Sequence, residues 1–317
     1  MDDINRVSGF EDIDEHVIIQ SRLISLNSRF ATTKINGSKH SSLLFDFNAI
    51  SPKSVDTLYH TIAIQSAEIP SSYYNVNANN NVINISDSVG TTASITLTEG
   101  NYDANTFKTE FELKFNAAAF AGNATLDFSE VTGKFSLLSA TVGTSLTVNL
   151  ATTTCREPLG LDLDAVGTQV FPYQAPPATF PNPANFLGIT KIKMLSDSLA
   201  GGNFDSNRLN TTTLVDTISA TATPFGLTIY NSLGRESFVK AKRIDEIDVQ
   251  LLDQNNNFID FNGTNWTMTL LINTHKRQRF SKKDGSILND KYVATLKALE
   301  KTESLKKELE DVKFDII

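Results

Sequence analysis

The stretch Leu58-Tyr59-His60-Thr61-Ile62-Ala63-Ile64-Gln65-Ser66-Ala67-Glu68-Ile69-Pro70 decides the class of fold. Apolar and polar residues alternate along it with the period of two that turns one face to a core and the other to solvent. Pro70 has no N–H to give a ladder and stops the strand. Before it, Leu43-Leu44-Phe45-Asp46-Phe47 reads as another strand. After it, the Asn-rich run from Asn75 to Asn81 has turn chemistry, and Val82–Ser86 with Ala93–Thr98 predicts a hairpin around Gly90.

Further out the pattern changes once. Asn105 to Phe120 reads as a helix behind Asp103 and Asn105 as capping residues, with Phe107, Phe111, Leu113, Phe115 and Ala119 as its apolar stripe. Strands resume at Ala124–Phe128, Lys134–Leu138 and Ser145–Leu150. Between Gly167 and Pro183 lie five of the nine prolines, a composition that favours an extended crossing linker. Five more strands are expected at Ile189–Leu195, Thr213–Ile218, Leu227–Tyr230, Ile244–Leu252 and Trp266–Asn273, the last with Trp266, Met268 and Leu270 on its core side. The first 42 residues, mixed in charge and without a sustained period, read as an arm with a short apolar patch at Val17-Ile18-Ile19.

The end of the chain has a different character. His275 to Lys283 is basic through Lys276, Arg277, Arg279, Lys282 and Lys283, and Lys291 to Val312 reads as a charged helix. A short seam in it repeats by sevens, through Ala298, Leu305 and Val312 with Leu309 between. It either docks on its own chain or pairs with a neighbouring copy. The basic run has three readings: contact with packaged DNA or an anionic membrane, contact with acidic sibling subunits, or a solvated tail.

Composition narrows the function classes. A net charge of −8 and a pI near 5.1 turn the body as a whole away from phosphates and anionic lipid. A lone cysteine, Cys155, rules out an intrachain disulfide framework, and with no His partner it reads as a buried or incidental residue. The acidic start Met1-Asp2-Asp3-Ile4 is unlike a secretory signal, so synthesis in the cytosol is the expectation. His16, His40, His60 and His275 lie far apart, with no His-x-x-x-His or Cys-x-x-Cys spacing, and the nucleophile-elbow, dinucleotide and P-loop patterns are missing. The acidic loop Asp253–Asp260 lacks the order of an EF-hand and reads as an Asn-solvated hairpin turn. No catalytic residue, cofactor, metal or small-molecule substrate is therefore expected; a pair of carboxylates brought together by a β-sandwich is the catalytic option left open.

Several strings carry a resemblance. They are Ile64-Gln65-Ser66-Ala67-Glu68-Ile69-Pro70-Ser71-Ser72-Tyr73-Tyr74-Asn75, Ile95-Thr96-Leu97-Thr98-Glu99-Gly100-Asn101-Tyr102 leading into the helix, and Pro158-Leu159-Gly160-Leu161. Ile244 to Asp253 followed by Asn262 to Leu270 looks like a final hairpin. Together they resemble the jelly-roll penton and minor capsid proteins of large eukaryotic double-stranded DNA viruses, virophages and polinton-like viruses, over about residues 43 to 275. The basic run and the C-terminal helix depart from that pattern.

The resemblance implies a mainly β protein: a jelly-roll β-sandwich with an inserted smaller α+β domain and a C-terminal helix, with two consecutive β-sandwich or jelly-roll domains as the alternative. The expected parts are an arm at 1–42, a jelly roll from 43–75 and 185–275, an inserted domain at 76–166, a Pro-rich linker at 167–184, and the basic segment and helix at 276–317. The implied role is a structural virion protein in the capsid, made in the host cytoplasm and not secreted. It would assemble as a homo-oligomer, a pentamer among the options, or with a major capsid protein, and touch an internal membrane or packaged DNA through the basic segment. A receptor- or glycan-binding surface module is the rival, and a carbohydrate-active enzyme a distant third.

Overall fold

The computed structural model describes residues 14–47, 58–118, 120, 124–139, 144–171, 178–199, 203–205, 210–232, 234–239 and 244–279, without the side chains of 14–17, 58, 139, 203–205, 210–212 and 277–279. Along the chain the elements are β1 (Asp14–Asn27), β2 (Thr33–Lys34), β3 (Ser42–Asp46), β4 (Leu58–Pro70), β5 (Val82–Asp87), β6 (Thr92–Thr96), α1 (Ala104–Asn116), β7 (Ala124–Ser129), β8 (Lys134–Ser139) and β9 (Leu146–Asn149). Then come the single turn α2 (Arg156–Leu159), β10 (Thr168–Phe171), β11 (Ala178–Thr179), β12 (Lys191–Leu195), β13 (Asn203–Asp205), β14 (Asn210–Thr212), β15 (Leu214–Ser219), β16 (Leu227–Asn231), β17 (Ser237–Val239), β18 (Glu246–Leu252) and β19 (Thr267–Arg279).

The alternation in β4 does what its pattern requires. Ile62 and Ile64 point inward, Gln65 is bulged where the register against β19 shifts, and Ala67 and Ile69 resume the inward face. One sheet runs β1-β19-β4-β16, with β17 also on β4, and a second runs β15-β12-β18-β3-β2. Numbered among themselves in chain order, β1, β3, β4, β12, β15, β16, β18 and β19 lie as 1-8-3-6 in the first sheet and 5-4-7-2 in the second. That interleaving of first and last strands is the double Greek key of a jelly roll. Two consecutive sandwiches would keep early strands with early ones, so the alternative is set aside. Between the sheets Trp266, Leu43, Ile64, Ile192, Val249, Leu251 and Leu270 are fully buried. Trp266 meets Phe45 edge-on and its indole N–H donates to the His40 carbonyl at 2.7 Å.

Between β4 and β12 the chain builds a second core. Sheets β10-β9-β5-β6 and β11-β8-β7 close around α1. Phe107, Phe111 and Phe115 recur at one-turn spacing and are buried. Asp103 caps α1 by accepting from the Thr106 N–H at 2.8 Å, and the Thr106 hydroxyl accepts from the Asp103 N–H in return. Phe135 joins Phe107 at 5.6 Å, and Phe171 packs on Phe180 at 4.7 Å.

Three expectations need correction. Residues from Asp14 onward are no arm: β1 pairs with β19 along its length and sends Ile24 and Leu26 into the core. The Pro-rich stretch is not only a linker, because its two ends add β10 to β9 and β11 to β8, at sheet edges where a proline nearby breaks no inner ladder. Leu113 is 64% exposed instead of joining the stripe of α1, since two residues of helix turn it about 200° from Phe111.

One carboxylate ties the turn after β12 to β18. Asp248 Oδ1 accepts from the Ser196 hydroxyl at 2.9 Å and the Ser198 N–H at 2.8 Å, and Oδ2 from the Asp197 N–H at 2.8 Å. Burial pushes its pKa up, but these hydrogen bonds outweigh that and hold it below the ordinary carboxylate value. A depressed folded pKa stabilises above the unfolded value, and the contribution disappears as pH falls through the folded one. Asp248→Asn is therefore expected to be destabilising at neutral pH, with the gap to the parent closing below about pH 4. Urea midpoints across pH 2–7 check this; a gap that stays constant into acid would contradict it.

Candidate assembly surfaces and the seam between the cores

The outer face of the first sheet is set by the same alternation that fills the core. Opposite inward Ile24 and Leu26 stands Leu23, opposite buried Thr228 stands Ile229, and between buried Ser237 and Val239 stands Phe238. Leu23, Ile229 and Phe238 are each roughly two-thirds exposed, at 67%, 66% and 64%. Ile18 and Ile19, beside the bulge in β1, are half exposed as well. Large apolar side chains therefore stand on the outer face of this sheet, spread over its strands.

A polar cluster sits in that face. Thr61 donates to Glu236 Oε2 at 2.5 Å, Asn273 donates to Oε1 at 2.7 Å, and His275 Nε2 lies 2.8 Å from the Thr61 hydroxyl. Tyr59 stacks on His275 at 4.6 Å. Burial, and after it the Glu236 charge, pushes the Tyr59 hydroxyl pKa up, so the ring stays neutral. The cluster fastens β17, β4 and β19 together across the sheet.

The basic run begins inside the sheet. Lys276 is exposed and lies between Val17 of β1 and Leu58 of β4; Arg277 and Arg279 stand opposite His16 and Asp14 in the register of β19 with β1. The boundary expected at 275 thus falls within a strand that continues to Arg279. Lys282 and Lys283, and the seam residues Ala298, Leu305, Leu309 and Val312, lie outside the described residues.

Other singled-out groups have structural places. Cys155 is buried in the second core, and burial pushes its thiol pKa far up, which keeps it protonated. Asp253 Oδ1 accepts from the Asn255 and Asn257 N–H groups, both at 2.8 Å, and so shapes the turn after β18. Among the described residues no group of three His, Cys, Asp or Glu is arranged to hold a metal ion. Tyr230, held by Asp216 at 2.6 Å, has its pKa pushed up to about 12 by burial, that hydrogen bond and the Asp216 charge.

The two cores meet at a seam that sequence reading missed. Asn75 is its tie: Nδ2 donates to the carbonyls of Tyr102 at 2.7 Å and Phe186 at 3.0 Å, and Oδ1 accepts from the Tyr102 N–H at 2.9 Å. Gly188, at φ +65°, passes so close that a Cβ there would lie 2.9 Å from the Asn75 Cβ. Gln254 braces the returning chain through Gly188 and Thr190. The outgoing and returning segments of the chain are thus held together beyond the end of β4 and before the start of β12.

The chain is similar to the mavirus penton protein. That structure aligns over 80% of this chain and 99% of its own, at 10% identity and a TM-score of 0.44. A chain of the Sputnik virophage aligns over 80% of this chain and 97% of its own, at 13% identity and a TM-score of 0.39. No protein-family model matches the sequence, and no curated protein matches it.

Proposed function

We propose that the chain is a structural virion protein, a penton or minor capsid subunit that assembles with itself or with a major capsid protein in an icosahedral shell. The observation that carries the reading is the strand order of the two sheets, a jelly roll of the kind that builds viral shells, found in the chain whose strings resemble penton and minor capsid proteins. In this reading the protein performs no reaction, is made in the host cytoplasm, and has residues 76–166 as a projecting inserted unit. The apolar outer face around Leu23, Ile229 and Phe238 supplies a lateral contact. The basic segment supplies a second one, toward acidic siblings or toward a membrane or DNA inside the shell.

Light scattering on a sizing column tests the reading. The purified chain is expected to run as a multimer, and a pentamer would favour the vertex. Leu23→Glu with Ile229→Glu is expected to shift it to monomers without changing its circular dichroism, because burying two new charges at a contact costs several kcal/mol. Changing Lys276, Arg277, Arg279, Lys282 and Lys283 to Gln is expected to lower particle yield on co-expression with a major capsid protein more than it lowers the melting temperature. A chain that stays monomeric and never enters such particles would overturn the proposal.

A further inference from the structure

A groove of about 170 Å³ lies along the seam between the cores. Its walls come from four stretches distant in sequence: the Asn-rich turn after β4 with Tyr74, Asn77 and Asn79, the start of α2 with Arg156 and Glu157, the returning chain at 185–189, and the β18 turn from Asp253 to Asn257. The walls are built in advance. Asn77 Oδ1 accepts from the Asn79 N–H at 3.0 Å, Asn80 Nδ2 donates to the Asn75 carbonyl at 2.8 Å, and Asp253 holds the opposite turn.

Half of the residues that line the groove carry amide side chains. The side chains of Asn79 and Asn255, both exposed, and the Tyr74 hydroxyl make no hydrogen bond among the described residues. Arg156 is the one cation among the lining residues, and it is committed elsewhere: its guanidinium donates to the carbonyls of Leu150, Leu163 at 2.9 Å and Ala165 at 3.2 Å. The other charges at the groove, Asp253 and Glu157, are negative.

We propose that this groove binds a neutral, hydroxyl-rich ligand: the terminal sugar of an uncharged glycan. A sugar hydroxyl both donates and accepts, and an amide side chain offers both roles in one fixed plane. Tyr74 adds an aromatic surface and a hydroxyl. Turns already held by Asn77 and Asp253 lose little freedom when a ligand settles on them. The volume is below that of a drug-sized pocket and suits a single ring. A carboxylated sugar would meet Asp253 and Glu157 with no cation available, so acidic glycans are rejected. The proposal does not rest on the assembly reading and applies equally to monomer and multimer.

The test uses the full chain. Saturation-transfer NMR with methyl glucoside, methyl galactoside and N-acetylglucosamine is paired with an array carrying neutral and sialylated oligosaccharides. At least one neutral sugar is expected to bind, and Tyr74→Ala is expected to weaken it about tenfold, the size of one lost hydrogen bond of about 1.4 kcal/mol. Asn79→Ala with Asn255→Ala, at exposed turn positions, is expected to weaken it by at least as much with an unchanged melting curve. That double variant decides the matter should Tyr74→Ala fold poorly. No transfer to any neutral sugar, equal binding by the double variant, or an array on which only sialylated glycans bind would overturn the proposal.

Discussion

Trp266→Ala is expected to lower the stability of the protein by about 3–5 kcal/mol, the usual cost of emptying a fully buried aromatic site. The side chain has no exposed surface, abuts Phe45, and satisfies the His40 carbonyl through its indole N–H. Truncation leaves a cavity between the sheets and a buried carbonyl without its donor, a loss of about 1–3 kcal/mol in itself. His40 sits at φ +57°, so its carbonyl is held in a backbone conformation that has little room to adjust. Trp266→Phe fills most of the volume without restoring the donor, and its cost is expected to fall between parent and alanine. Urea unfolding followed by circular dichroism reads both, since the sole tryptophan is lost as a fluorescent probe. A cost below about 1 kcal/mol for the alanine variant would contradict the packing described.

Gly160→Ala is expected to cost more than about 3 kcal/mol or to prevent folding of the second core. Gly160 ends α2 at φ +74°, where a Cβ is strained by about 1–2 kcal/mol before any contact is counted. Here the contact dominates. A Cβ would lie 2.2 Å from the Asn182 carbonyl oxygen and 3.1 Å from the Pro183 carbonyl carbon, both backbone atoms. The Asn182 N–H also donates to the Gly160 carbonyl at 2.9 Å, so the two segments cannot part without losing that bond. Gly90→Ala is the control: its φ is +96° with nothing within 4 Å, so it carries strain without collision. Thermal melts should separate the two variants widely; equal shifts would show that strain alone accounts for both.

Most strands were legible because burial on one face forces alternation, and alternation survives in the sequence. β4, β5, β18 and β19 show this. β1 was missed for a physical reason. Its bulge between Ile18 and Gln20 breaks the period, and Leu23 puts an apolar residue on the wrong face. The edge strands β10 and β11 were hidden by neighbouring prolines. The outer apolar face is invisible without knowing which residues point inward. The seam is harder still, since residues near 75, 156 and 255 become neighbours only after an entire second core has folded and returned. Of the candidate interaction residues, Lys276, Arg277 and Arg279 proved to be strand positions, which no charge pattern reveals.

The clamp at Asn75 holds together the outgoing and returning segments between the two cores, and the strands those segments continue, β4 and β12, are not at a margin. β4 lies between β19 and β16, and β12 lies between β15 and β18. A mechanical load on the second core therefore enters the middle of both sheets at once. It is shared by ladders on either side of each strand and resisted in shear, where many hydrogen bonds must fail together. A shell made of such units would transmit a tug on its outer surface into its walls without peeling them.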